Sequence, residues 1–118
     1  MDSDRYNRST ERVENIDIDQ TTWVADILRN RRRIQVLLEL ESVGEDGVSV
    51  SELADRLAER DFGEGFSSAE RRKIFVGLYQ THIPTLNATE VVNVGSRDYV
   101  TRGGRYSEVL SALYRLQP

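Results

Sequence analysis

The chain reads as stretches of helical apolar periodicity separated by short breaks marked with glycine, serine or asparagine, and only late does it switch to two-residue alternation. From TTWVADILRN onward, Trp23, Ile27, Ile34, Leu37 and Leu38 recur at helical spacing. Asn30 suits the cap of a second piece, so the pattern predicts a short helix, a break near Asn30, and a helix running from Arg31 to about Glu41. In SVGEDGVSVSELADRLAER, turn residues from Gly44 to Gly47 precede Val48 and Val50, an alternation that fits a short strand. Ser51 then stands where an N-cap belongs, ahead of a second core helix with Leu53, Ala54 and Leu57 on its apolar stripe. DFGEGFSS is a glycine-bearing loop that ends in a cap at Ser67 or Ser68, with Glu70 at capping-box distance from Ser67.

The third helix, SAERRKIFVGLYQTH, puts Phe75, Leu78, His82 and Leu86 on one stripe and Lys73, Gly77 and Gln80 on another side. Pro84 cannot donate to the Gln80 carbonyl and pushes Ile83 from helical angles, so this helix is expected to kink, or to restart with Pro84 in its first turn. VVNVGSRDYVT is hairpin grammar, two β-prone runs around Gly95, Ser96 and Arg97. GGRYSEVLSALYRLQP reads as a terminal helix. Three helices and a hairpin, with a tight turn between the second and third helices, follow the order of a winged helix-turn-helix. The expected fold is therefore mainly α with a small β-hairpin, a winged helix-turn-helix over residues 22–102 with a C-terminal helix over 103–118. Residues 1–21 lack apolar periodicity and carry three arginines against six acids, which suits a mobile tail.

Composition narrows the functional classes. A chain of 118 residues fits one domain, and 38% apolar with 31% charged residues is a globular balance. No apolar run approaches the roughly 20 residues of a membrane span, and the polar start lacks a secretory core, so a cytoplasmic location is expected. Without cysteine there is no thiolate chemistry, disulfide or cysteine-zinc site, and a single histidine leaves little for an imidazole metal site. Lys73 is the one lysine beside 15 arginines, at a net charge of -4. Abundant carboxylates with almost no lysine suit a salt-rich cytoplasm, although GC-rich coding also favours arginine.

The segments RRRIQVLLEL, VSVSELADRLAER and LYQTHIPTLNATEVV resemble the small winged-helix domains of halophilic archaea that are grouped as a domain family of unknown function. These carry an arginine triplet before the first core helix and an LY..H.P.L signature, here Leu78, Tyr79, His82, Pro84 and Leu86, ending the third. The resemblance runs from about Trp23 to Thr101 and implies a winged-helix fold with a DNA-binding or regulatory role, and no enzyme activity. Such domains tend to place glycine before the first wing strand. Glu90 stands there in this chain, and Asn87 is the residue expected to supply a left-handed turn instead.

Several residues carry candidate chemistry. His82, on the apolar stripe with no acidic or nucleophilic neighbour, reads with Pro84 as architecture, its ring bonded to backbone or a hydroxyl. Arg71, Arg72 and Lys73 occupy the opening turn of the third helix, the end a recognition helix directs at base edges or phosphates. The alternative is a solvated basic turn paired with Glu70 or Glu64. Gln80 and Thr81 lie further along the exposed side, Arg97 at the hairpin tip and Arg102 just after it, each either a DNA contact or ordinary polar surface. The triplet Arg31, Arg32, Arg33 opposes its own helix dipole and calls for compensation by phosphate, by Asp26, or by other carboxylates of the fold. Glu39 and Glu41, two residues apart, read as surface charge.

The terminal stripe of Tyr106, Val109, Leu110, Leu113, Tyr114 and Leu116 either folds back onto Trp23 and Ile27 or packs against a second copy. Paired winged helices bind half-sites about one DNA turn apart, so the stripe is assigned to homodimerisation. No hydrolase, phosphate-loop, zinc-protease or dinucleotide motif is present. The expected function is a transcriptional regulator that binds double-stranded DNA as a homodimer, with no cofactor, membrane or small-molecule substrate evident. The alternative is a protein-interaction or dimerisation module on the same scaffold.

Overall fold

The computed structural model describes residues 18–116, so the tail predicted over residues 1–21 lies, up to residue 17, outside the described residues. Helix α1 (Ile18–Leu28) ends at a break where Asn30, in extended conformation, accepts the Arg33 N–H on its side chain at 3.2 Å and opens α2 (Arg31–Val43). Apolar continuity carries α2 two residues past the predicted end, until Gly44 turns the chain at φ 80°. Gly47, at φ 79°, is packed so closely that a Cβ would collide with the Val100 carbonyl.

Strand β1 is only Val48–Ser49, because Ser49, and not Ser51, caps α3 (Val50–Phe62) by accepting the Glu52 N–H at 3.1 Å. Ser51 lies inside the helix instead. Helix α4 (Ser68–Gly77) opens with the predicted capping box: Ser67 Oγ accepts the Glu70 N–H at 3.0 Å and Glu70 Oε1 accepts the Ser67 N–H at 2.8 Å.

Helix α4 then passes without a break in helical dihedrals through one π turn, Leu78–His82, into α5 (Ile83–Ala88). Proline explains the turn. Pro84 lies in the opening turn of α5, and the Ile83 N–H reaches back five residues to the Leu78 carbonyl, so the wider turn absorbs the missing donor and the ring's bulk. The inserted residue re-registers the buried stripe as Ile74, Leu78, Ile83 and Leu86, all at 6% exposure or less. His82 therefore leaves the stripe assigned to it and sits half-buried at its margin, while Phe75, half-buried against the core, stacks on Tyr79 with ring centroids 5.9 Å apart.

The end of α5 also differs from expectation. Glu90, and not Asn87, takes the left-handed conformation (φ 64°), with the Glu90 N–H on the Asn87 carbonyl at 3.0 Å and the Val91 N–H on the Leu86 carbonyl at 2.9 Å. This is a Schellman close, and Val91 and Leu86, both at 0% exposure, form its apolar contact.

Strands β2 (Val92–Val94) and β3 (Tyr99–Arg102) form the hairpin, and β3 is central in a three-stranded antiparallel sheet of order β1-β3-β2. Val48 and Val94 both pair with Val100, and Val92 pairs with Arg102. Val48, Val92 and Val100 face the core, together with Leu37, Leu40, Leu53, Leu57, Leu78 and Leu86.

Helix α6 (Tyr106–Arg115) packs on α1 and closes the core. Tyr106, Val109 and Leu113 are 3%, 0% and 7% exposed, and the Tyr106 hydroxyl lies 2.8 Å from the Leu37 carbonyl and 2.9 Å from Glu41 Oε2. Burial and the Glu41 hydrogen bond push this phenol far above its ordinary range. The dimer assignment of Tyr106, Val109 and Leu113 is thereby corrected: their apolar surface is spent inside the chain, leaving Leu110 half-buried and Tyr114 and Leu116 exposed. Among the described residues no helix is long and apolar enough to cross a membrane.

Candidate nucleic-acid interface

The rod formed by α4, the π turn and α5 buries one face and presents the other. On the presented face Arg72, Lys73, Gln80 and Thr81 are exposed, and their side chains hold no hydrogen bond or ion pair among the described residues. Between Arg71 and Thr89 the sequence contains no aspartate or glutamate. Acidic residues lie on α3 (Glu52, Asp55, Glu59 and Asp61), on α2 (Glu39 and Glu41) and at the very start of the rod, where Glu70 is held by its capping box. A chain with net charge of -4 thus separates a small cationic face from its carboxylates.

Arg71 behaves differently from its two neighbours. Its Nε pairs with Asp55, its Nη2 donates to the Ser51 carbonyl at 3.0 Å and Oγ at 2.7 Å, and its guanidinium lies 5.9 Å over the Phe75 ring. It ties α4 to the start of α3 and so fixes the angle of the rod. As a DNA contact it is corrected to a brace.

Arg102 receives the same correction. Its Nη2 contacts the Leu40 carbonyl at 3.3 Å and Glu41 Oε2 at 3.4 Å, and its guanidinium stacks 5.0 Å over Tyr106. Arg97 is exposed at the hairpin tip and has no partner among the described residues. Arg97 and Asp98 are both left-handed, at φ 60° and 56°, the backbone of a tight hairpin turn that usually selects asparagine or glycine.

One arginine of the triplet is compensated by a carboxylate of the fold, on an element the sequence did not single out. Arg32 donates to Asp61 Oδ2 at 2.8 Å and to Gln35 Oε1 at 2.8 Å, so the end of α3 neutralises the start of α2. Burial opposes ionisation of Asp61, but the Arg32 hydrogen bond and charge prevail and hold its carboxyl below the ordinary value. Arg33 Nε donates to His82 Nδ1 at 3.3 Å, so the histidine's partner is a guanidinium and not the predicted backbone or hydroxyl. Partial burial, then the charges of Arg33 and Arg32, lower the His82 pKa and favour the neutral ring. Arg31 remains exposed.

Glu39 and Glu41 are not plain surface charge. Glu39 is 5% exposed, its Oε1 accepting Arg60 Nη2 at 2.7 Å, with Arg56 Nη1 3.6 Å from Oε2. Glu41 joins Tyr106 and Arg102. The sequence reading also missed the apolar part of the presented face: Val76 and Tyr79 are 40% and 52% exposed. Tyr79 falls between the stripe positions of an uninterrupted helix, which was the available signal.

A family model, that of the domain of unknown function DUF7344, matches residues 25–102. The chain belongs to this family. No curated protein and no solved structure matches it. The DUF7344 match begins inside α1 and ends with β3, so it takes in the whole rod and the hairpin, while α6 lies beyond it. The element that covers the core from the C-terminal side is therefore outside the matched region.

Proposed function

We propose that this DUF7344 protein is a DNA-binding transcriptional regulator of winged helix-turn-helix type. In this reading α2, α3 and the α4–α5 rod are the three core helices, the rod enters the major groove, and the β2–β3 hairpin is the wing. The observation that carries the reading is the acid-free stretch from Arg71 to Thr89, on which Arg72, Lys73, Gln80 and Thr81 remain exposed in an acidic chain. Arginine and lysine there meet guanine edges or phosphates, and Gln80 offers a paired donor and acceptor to adenine. Arg97 at the hairpin tip adds a phosphate contact. The acidic remainder lowers non-specific affinity, and a salt-rich cytoplasm of the haloarchaeal kind is the setting in which that cost matters least. No catalytic step is assigned.

A homodimer would bring two rods to half-sites about one helical turn apart. Leu110, Tyr114 and Leu116 are the accessible remainder of the terminal stripe through which a second copy would attach. Light scattering that returns only monomer at every workable concentration would remove this part.

One observation favours the protein-interaction reading. Tyr79, Ile83, Pro84 and Val94 line a groove between rod and hairpin, and Val94 and Tyr99 are 36% and 41% exposed. Fluorescence anisotropy with genomic duplex fragments across a salt series separates the two. Changing Arg72 and Lys73 together to alanine is expected to weaken binding and flatten the salt slope by about 2, roughly 0.9 per phosphate contact. A parent protein that binds no fragment, or a double variant indistinguishable from it, refutes duplex recognition by this face.

A further inference from the structure

The start of α2, the end of α3 and one flank of α4 enclose a cleft of about 430 Å3, and of the residues lining it Lys73 alone is also assigned to the duplex face. We propose that this cleft is a binding site for a small organic anion, a phosphate or carboxylate carried on an aromatic or apolar body.

Its walls supply both halves of such a ligand's chemistry. Lys73 and Arg32 line it, the ammonium without a partner among the described residues, the guanidinium half-spent on Asp61 and Gln35. The carboxylate on the wall, Glu70, is turned to its capping box by the 2.8 Å bond from the Ser67 N–H. His82 adds a neutral donor. Its Nδ1 accepts from Arg33, so the ring proton resides on Nε2, along the edge that includes Cδ2.

That edge faces Gly77, where a Cβ would come within 3.9 Å of Cδ2, so the absent side chain keeps the space beside the ring open. The apolar half is Phe62, 51% exposed at the end of α3, above Ile74 at 6%. An exposed phenylalanine beside three nitrogen donors matches an anion with a ring attached better than it matches bare phosphate. The arginine triplet acquires a purpose here. Arg33 fixes the histidine tautomer and Arg32 forms a wall. The proposal stands whether or not the rod binds duplex.

The test uses phenyl phosphate and inorganic phosphate as probes at constant ionic strength, read by NMR of the Cε1 and Cδ2 protons of His82, the chain's one histidine. Phenyl phosphate is expected to give a saturable shift and to raise the His82 pKa, with inorganic phosphate weaker. Lys73→Met removes a charge-assisted contact and should weaken phenyl phosphate about tenfold. Phe62→Ala should weaken it about threefold or more, leave inorganic phosphate unchanged, and leave any duplex affinity unchanged. Both residues are exposed, so the variants should fold. Non-saturable shifts, equal response to the two probes, or indifference to Phe62→Ala would overturn the site. So would a duplex that reproduces the His82 shift when phenyl phosphate does not, since the donors would then serve the DNA backbone.

Discussion

Replacing Tyr106 with phenylalanine tests whether α6 is an integral part of the domain. The change keeps the ring, which is 3% exposed and lies under the Arg102 guanidinium, and deletes only the hydroxyl near the Leu37 carbonyl and Glu41. That hydroxyl has a single proton, so it donates to one of its two acceptors at a time. Glu41 keeps Arg102 at 3.4 Å after the change, so its charge is not orphaned. The loss is therefore that of one buried hydrogen bond, about 1–2 kcal/mol. At about 4–5 °C per kcal/mol for a chain of 118 residues, the melting temperature should fall by roughly 4–10 °C. Trp23, the one tryptophan, lies on α1 beneath the Arg105 guanidinium at 5.3 Å and reports the α1–α6 contact by fluorescence in urea. The comparison is made at protein concentrations where light scattering shows only monomer, because association would add stability by mass action. The difference between parent and variant should persist there, since the hydrogen bond lies within one chain. An unchanged midpoint in the variant would refute the buried hydrogen bond.

Glu90→Gly should raise stability by about 0.5 kcal/mol, since relief of a left-handed non-glycine residue, about 1–2 kcal/mol, exceeds the entropy cost of glycine and the loss of the exposed Arg105 pair; a lower melting temperature would contradict this. His82 is neutral in the fold and protonates more readily when unfolded, so stability should fall as pH drops below about 6.5, until the lowered native pKa is passed. In His82→Gln that decline should flatten, and an unaltered slope would refute its origin in this ring. Arg60→Met leaves the buried Glu39 carboxylate with Arg56 alone and should cost on the order of 1–3 kcal/mol in urea denaturation, whereas Arg31→Met should be near neutral. Equal effects at the two arginines would overturn the distinction between brace and surface.

Local signals in the sequence located the elements well. Asn30 and the Ser67–Glu70 box fixed two helix starts, and glycines with β-prone flanks fixed the hairpin, because each acts within a few residues of chain. The π turn was hidden, since one inserted residue shifts every later stripe position and only the packed core selects Ile83 over His82. Likewise Ser49 outcompeted Ser51 because β1 ends where it pairs with Tyr99. Long-range pairings were beyond local reading altogether. Arg32 with Asp61, Arg71 with Asp55 and Arg102 with Glu41 join residues 29, 16 and 61 positions apart, and they decided which arginines brace the fold. For the candidate site, Arg72, Lys73, Gln80 and Thr81 were legible because exposure on a helix follows from its period. Arg71 and Arg102 were not, because an arginine's partner is a property of the tertiary fold.

In the proposed function the face carrying Arg72, Lys73 and Gln80 meets a duplex. Backbone amide shift mapping of isotope-labelled protein, titrated with the tightest genomic fragment at two salt concentrations, tests that contact. Perturbations should concentrate at Arg72, Lys73, Val76, Tyr79, Gln80, Thr81 and Arg97 and shrink as salt rises. Perturbations centred on α1 and α6, or none at any salt, would contradict it.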